Sequence, residues 1–223
     1  MKMKLMKVAL ASLVAALLAT PPAAAAKNSK KSRQPQTSAQ VLVKEGLADL
    51  EDQNYEAAIR KFTRASKTQG DSATFFLLGY AHYQKGFHNG DPEQADKDDA
   101  LETVSAYSMA ITLDPELTSV AQPHRLYHSL ALSYEALKAY DKAIDAYKMA
   151  FQAAPDNPML PLYAARLRYR MGDMPKASAN LALSLRKAQQ IKKDKVLVET
   201  IKTNPLFSVL LSSPENQRIV QDA

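Results

Sequence analysis

The sequence contains no cysteine at any of its 223 positions. This absence excludes disulfide bonds, thiolate zinc ligands and cysteine nucleophiles. The chain also carries no G-x-S-x-G, no glycine-rich phosphate loop and no H-E-x-x-H motif, so the signatures of common hydrolases, nucleotide-binding enzymes and zinc proteases are missing. We therefore expect a protein that is not an enzyme, that binds no cofactor and that depends on its apolar core for stability.

Glycine is scarce as well, with six residues in the whole chain, and no run of alternating β-branched residues occurs. Alanine, leucine, lysine, glutamate and glutamine are abundant, and these residues have high intrinsic helix propensity. The composition therefore predicts an all-α fold.

The first 26 residues have the three parts of a secretory signal peptide. Three lysines form a basic lead, residues 8–19 are an apolar run, and the alanines at 24–26 fit an A-x-A cleavage site. The apolar run is shorter than the roughly 20 residues that a membrane-spanning helix needs. We expect removal of residues 1–26 and export to the periplasm or the medium, without stable membrane insertion. An uncleaved membrane anchor is the alternative.

Most of the positive charge lies outside the segment that we expect to fold. The formal net charge of +6 becomes −1 for residues 34–223, because seven basic residues and no acidic ones precede residue 34. A nearly neutral domain does not favour nucleic acid as a partner. Residues 27–38 are rich in Lys, Ser and Gln and predict a flexible basic linker, which could also touch an acidic lipid or polymer.

A repeated pattern occupies residues 39–190. Each repeat has two apolar stripes with steps of three and four residues, which is the spacing of a helix, and a polar turn separates the stripes. Small residues recur where the paired helices must approach closely, and a proline often follows the second helix, where it turns the chain. The repeats span residues 39–70, 72–115, 120–155 and 158–190, and the small residues are Gly46, Gly79, Ala131 and Ala165 in the first helices and Ala58, Ala143 and Ala177 in the second.

These stretches resemble the tetratricopeptide repeat (TPR) family. The resemblance is carried by KEGLADLEDQNYEAAIRKFTRA, by LLGYAHYQKG with AYSMAITLDP, and by LALSYEALKAYDKAIDAYKMAFQAAP. A weaker fourth copy, AARLRYRMGDMPKASANLALSL, has Pro175 in its second helix and Ser184 where the family has alanine. The resemblance implies a right-handed α-solenoid of about four helical hairpins. It also implies that a ligand would lie on a concave face formed by the first helices.

Two parts of the chain depart from the repeat. Residues 87–99 interrupt the second repeat with a polar, acidic insertion, which is either a functional loop or a tolerated surface loop. Residues 191–223 follow the last repeat, and their short amphipathic segments predict capping helices that cover the end of the array.

The histidines are the residues that could bind a metal. His124 and His128 are four residues apart, which places both rings on one face of a helix, and His82 and His88 lie near the acidic insertion. A His-x₃-His pair with nearby carboxylates could bind zinc or copper, but partly exposed polar residues fit the pattern as well. A metal-dependent enzyme is therefore the least favoured of the functions considered, and we predict no metal site.

The resemblance to the TPR family implies a protein or peptide partner in the concave groove. Tyr and Arg are frequent anchors of protein interfaces, and the expected groove is rich in both. Val43, Leu47 and Leu77 stand where the family's carboxylate clamp has polar groups, so that kind of tail recognition is not expected. The residues carried over to the groove are Phe76, Tyr80, Tyr83, Gln84, Arg125, His128, Leu132, Glu135, Leu162, Arg166, Tyr169 and Arg170.

The sequence thus predicts a non-catalytic periplasmic scaffold or adaptor that binds another protein. A second hypothesis is a cell-envelope factor that holds a lipid or a cell-wall component near the membrane, using the basic linker and the apolar groove. The oligomeric state and the identity of the partner do not follow from the sequence.

Overall fold

The computed structural model describes residues 38–88 and 90–223. The signal peptide predicted at residues 1–26 and nearly all of the linker predicted at 27–38 lie outside the described residues. The described part of the chain consists of helices and turns without strands, so the expected all-α fold is confirmed.

Four pairs of helices come first, and short capping segments follow. The pairs are α1 (Ser38–Glu51) with α2 (Tyr55–Thr68), α3 (Ser72–Gly86) with α4 (Lys97–Leu113), α5 (Pro123–Ala136) with α6 (Tyr140–Ala153), and α7 (Met159–Arg170) with α8 (Met174–Gln190). The C-terminal segments are α9 (Asp194–Thr203), α10 (Pro205–Ser208), a 3₁₀ turn (Val209–Ser212) and α11 (Pro214–Gln221).

Glycine allows the helices of the first two pairs to cross closely. A Cβ atom built on Gly46 would lie 2.7 Å from the ring of Phe62, and one built on Gly79 would lie 2.6 Å from the ring of Tyr107. Both rings are fully buried, so the glycines provide the space that the aromatic side chains fill. The prediction that small residues mark the helix crossings is confirmed at these positions.

Three of the four pairs use the same backbone turn. Two positions after the end of the first helix, the chain has a residue with positive φ, namely Gln53 (62°), Lys138 (59°) or Gly172 (80°). The N–H of the next residue donates to the carbonyl five residues back in each case, with Asn54 to Asp49 at 2.7 Å as the first example. This is the Schellman motif, in which glycine is the preferred residue at the left-handed position.

The described chain forms two compact units. The first comprises residues 38–86 and 98–122, and the second comprises residues 87–97 and 123–223. The insertion therefore belongs mainly to the second unit, although it interrupts a helix pair of the first.

The insertion is shorter than the sequence predicts, because α4 begins at Lys97 rather than after residue 99. Asp99 is buried in the first turn of α4. One of its carboxylate oxygens lies 2.8 Å from Nδ1 of His82, and the other accepts a hydrogen bond of 2.9 Å from Lys85. These contacts join α3, which precedes the insertion in the chain, to α4, which follows it.

The C-terminal segments cover the apolar end of the last helix pair. Ile201, Phe207, Leu210 and Val220 are buried in one core cluster with residues of α7 and α8, including Leu181. The capping role that the sequence predicts for residues 191–223 agrees with this packing.

Candidate functional site

A buried ion pair lies at the centre of the second unit. Nη2 of Arg166, on α7, donates to both carboxylate oxygens of Glu135, on α5, at 2.6 Å. The hydroxyl of Tyr147, on α6, donates to the same carboxylate at 2.5 Å. Glu135 is 4% exposed and Arg166 is 1% exposed. Three helices are therefore joined through one carboxylate in a site that excludes solvent.

Burial and charge oppose each other in this pair. Burial raises the pKa of the Glu135 carboxyl, while the guanidinium of Arg166 and the hydroxyl of Tyr147 act to lower it. Burial acts to lower the pKa of Arg166, but Tyr147 and Glu135 outweigh it, so that pKa lies above its ordinary value. Arg166 is thus held in its charged form beside Glu135.

A cluster of aromatic rings lies beside the ion pair, with the guanidinium of Arg166 5.8 Å from the ring centroid of Tyr163. The ring of His128 lies 4.5 Å from that of Tyr163, and the ring of Phe207 lies 5.1 Å from Tyr163 in an edge-on arrangement. Burial, followed by the positive charges of Arg166, His124 and Arg125, lowers the pKa of His128 to about 4. His128 is therefore neutral near pH 7, and its ring packs against those of Tyr147 and Tyr163.

A cavity of about 680 Å³ opens beside this cluster, and residues of the second unit line it. The lining residues come from three segments, namely α7, the insertion and the C-terminal capping segment. The lining residues are Gly90, Asp91, Glu93, Gln94, Tyr163, Arg166, Arg170, Asn204, Pro205, Leu206 and Val209.

The capping segment reaches the cavity because of its local sequence. Asn204 is the N-cap of α10, and its side chain accepts a hydrogen bond of 3.0 Å from the N–H of Leu206. Pro205 occupies the first position of this helix, where its missing N–H costs nothing. Pro205 and Leu206 of this short helix line the same cavity as the arginines of α7.

Arg170 is the accessible cation of the cavity. Its side chain is 27% exposed, and its Nη2 donates a hydrogen bond to the carboxylate of Glu93 in the insertion. Its Nη1 lies 3.8 Å from the buried carboxylate of Glu135. The Glu93 side chain is 62% exposed, so this ion pair lies at the mouth of the cavity.

Arg166 lies deeper and has unused donors. Its Nε and Nη1 are buried and donate to no acceptor in the described structure. Unpaired buried donors cost free energy, so these N–H groups favour an electronegative neighbour.

The structure corrects part of the predicted groove. Phe76, Leu132 and Leu162 are at most 1% exposed, and they pack in the core because each lies on the face that its helix turns toward its neighbours. Glu135 and Arg166 are buried as a pair. These five residues have no surface for a partner in this structure, contrary to the expectation from the sequence.

The other predicted residues fall into two groups. Tyr80, Tyr83 and Gln84 are half-buried on α3 in the first unit. Arg125, His128, Tyr169 and Arg170 belong to the second unit, and of these Arg170 lines the cavity. Contact of Arg125, Tyr169 and Arg170 with a partner stays a prediction, whereas the Nε2 atom of His128 is buried.

Several cavity residues were not predicted from the sequence. Glu93 and Asp91 were recognised only as part of an acidic insertion, and residues 204–209 only as part of a cap. No local signal places either segment near α7, because the pairing depends on contacts across 77 positions of the chain for Glu93 and Arg170.

Two searches of the described residues gave negative results. No group of three or more His, Cys, Asp or Glu side chains in residues 38–88 and 90–223 could hold a metal ion. No helix in that part of the chain has both the length and the apolar character needed to cross a bilayer.

Comparison with known proteins identifies the fold class. No protein-family model matches the chain, and no curated protein matches it. Among solved structures, the crystal structure of MamA is similar, with a TM-score of 0.59 over 70% of this chain and 81% of the MamA chain, at 18% identity. The fold is a TPR-like α-solenoid. At this level of identity the similarity establishes the fold and not the function.

Proposed function

We propose that this protein is a non-catalytic scaffold or adaptor that binds another protein in the periplasm. The observation that carries the proposal is the cavity of the second unit, which an accessible arginine, a tyrosine and apolar side chains of the cap line together. Arginine and tyrosine beside apolar surface are the usual composition of a protein-binding hot spot. The TPR-like fold supports this class of function by analogy.

The expected location is supported by the N-terminal sequence. The basic lead, the short apolar run at residues 8–19 and the alanines at 24–26 together match a cleavable signal peptide. Fractionation of cells that make the full chain, with N-terminal sequencing of the mature protein, tests this. Recovery of the intact chain from the cytoplasm would contradict it.

A cross-linking pull-down of the tagged full chain tests the binding role. We expect one protein to co-purify with the wild type and to be lost with Arg170→Gln. Arg168→Gln is the matched control, because Arg168 lies on the same helix but pairs with Asp173 at 3.0 Å and does not line the cavity. Tyr83→Ala tests separately the groove residues that the sequence predicts on α3.

The outcomes separate the alternatives. Capture of the same proteins by the wild type and by both the Arg170 and Tyr83 variants would show that neither surface binds the partner. Recovery of a lipid or a cell-wall fragment without any protein would replace the scaffold role by that of an envelope factor.

A further inference from the structure

We propose that Glu93 occupies, in the free protein, a carboxylate-binding site at Arg170, and that an acidic side chain of the partner protein replaces it. This inference rests on the proposed function, since it names the chemistry that the cavity of the second unit would recognise.

The charges around the cavity do not balance without Glu93. Two guanidinium groups, those of Arg166 and Arg170, share the single buried carboxylate of Glu135. Arg166 takes both oxygens of that carboxylate at 2.6 Å, whereas Arg170 approaches it only to 3.8 Å. One positive charge is therefore left for a second carboxylate, and Glu93 supplies it in this structure.

Asp91 also lines the cavity, but its carboxylate is already used within the insertion. One oxygen accepts a hydrogen bond of 3.0 Å from the N–H of Glu93, and the other accepts one of 3.2 Å from the side chain of Gln94. Asp91 thus holds the backbone of the insertion in place and leaves Glu93 as the group that meets Arg170.

The insertion is anchored independently of the ion pair. Phe87 is 6% exposed and Pro92 is buried as well, so apolar packing holds both sides of the turn. The Glu93 side chain is 62% exposed. Rotation of that side chain alone would uncover Arg170 while the backbone of the insertion stays in place.

A carboxylate from a partner would form a stronger ion pair with Arg170 than Glu93 does. An ion pair between largely exposed groups contributes little, since water screens it and ordering the side chains opposes it. A partner segment seated against Leu206 and Val209 would exclude water from the same pair, and the interaction strengthens as the local dielectric falls. Glu93 is therefore a weak internal competitor that holds the site until a partner arrives.

The resident group also indicates the chemistry of the ligand. The insertion presents a glutamate side chain on a non-helical turn, rather than a chain terminus, to Arg170. We therefore assign the site to an acidic side chain in a loop or extended segment of the partner. A peptide that copies the insertion, acetyl-GDPEQA-amide, is a suitable probe because blocked ends leave its side chains as the only carboxylates.

The test is a titration of the full chain with this peptide, followed by amide chemical shifts. Acetyl-GDPQQA-amide, which lacks the glutamate, is the control ligand. We expect saturable binding that is about two- to fivefold tighter for Glu93→Gln than for the wild type, which is the range that removal of an exposed competing ion pair allows. Glu116→Gln, an exposed glutamate of the first unit, should leave the affinity unchanged.

Arg170→Gln should abolish the binding in both the wild-type and the Glu93→Gln backgrounds. Three results would overturn the inference: equal affinity of the wild type and Glu93→Gln, binding retained by Arg170→Gln, or no saturable shift for Glu93→Gln at about 10 mM peptide, a concentration well above a millimolar dissociation constant. Equally tight binding of the control peptide, which keeps the aspartate, would show that the glutamate carboxylate is not the group that the site recognises.

The peptide titration and the pull-down can give negative results independently of each other. Absence of peptide binding together with a co-purifying protein would overturn the carboxylate site and leave the scaffold role. Specific peptide binding with no protein captured from cells would overturn the scaffold role and leave a carboxylate site whose ligand is not a protein of those cells.

Discussion

Replacement of Arg166 by methionine tests whether the buried ion pair is as important as its geometry suggests. The substitution removes two hydrogen bonds of 2.6 Å to Glu135 and keeps most of the side-chain volume. Glu135 would remain buried with the Tyr147 hydroxyl as its only direct donor and Arg170 at 3.8 Å. An uncompensated buried charge of this kind costs about 3–5 kcal/mol.

The double variant Arg166→Met with Glu135→Gln separates the energy of the ion pair from the effect of changing the side chains themselves. The glutamine carbonyl can still accept the hydrogen bond from Tyr147, and no buried charge remains. Replacing both members of a buried pair is often close to neutral. We therefore expect the double variant to lose no more than about 2 kcal/mol, less than the Arg166→Met single variant, which gives a large coupling free energy.

Urea unfolding followed by hydrogen exchange at the amides of α5 to α8 measures these changes. A probe within the second unit is needed because a chain of two compact units need not unfold in one step. Arg168→Met is the control, since Arg168 pairs with the partly exposed Asp173 and should cost less than about 1 kcal/mol. Equal losses for Arg166→Met and Arg168→Met would refute the reasoning.

Three further predictions concern stability. Burial lowers the pKa of His128 from 6.5 to about 4, so the imidazole takes up its proton at a higher pH in the unfolded chain than in the folded chain. Neutral His128 therefore contributes its full share to the free energy of unfolding above pH 6.5. About 3 kcal/mol of that free energy is lost as the pH falls to 4. Urea midpoints measured from pH 7.5 to 4.5 should show this slope in the wild type and a reduced slope in His128→Phe, and identical slopes would contradict it. Lys138→Gly should raise the free energy of unfolding by about 0.5–1 kcal/mol, because φ is 59° there, whereas a loss would show that the lysine side chain contributes more than the backbone strain costs. Gly79→Ala should lower it by about 1–3 kcal/mol, because its methyl group would lie 2.6 Å from Tyr107; a stabilised variant in a thermal melt would show that the ring has room to move.

The parts of the fold that depend on neighbouring residues could be predicted from the sequence. The helix periodicity and the small residues at Gly46 and Gly79 describe contacts within one helix pair, and the structure places Phe62 and Tyr107 there. A turn recurs between the two helices of a pair, so the sequence of each repeat by itself predicts a helical hairpin. For this reason the all-α, TPR-like fold was accessible from the sequence.

The site was harder to predict from the sequence, because it depends on contacts between residues that are far apart in the chain. Arg166 has the spacing of an exposed residue on a first helix, but it pairs with Glu135, 31 positions earlier. The ring of Tyr163 beside it packs against Phe207 of the cap. The repeat pattern does not predict where a capping segment packs on the helices or where an insertion lies in the folded chain. The expectation that Arg166 is exposed in a groove was therefore wrong, and the role of the accessible groove residues stays a prediction.

Arg166 and Arg170 lie one helical turn apart on α7 and face the same carboxylate, but they have different roles. Arg166 is 1% exposed and satisfies Glu135, so its removal changes stability and cannot report on binding alone. Arg170 reaches Glu135 only at 3.8 Å and meets an exposed partner in Glu93, so its removal should cost less than about 1 kcal/mol of stability. A loss of binding in Arg170→Gln without a comparable loss of stability would thus assign recognition to the outer arginine. Comparable losses of stability in both arginine variants would instead show that the two form one structural network.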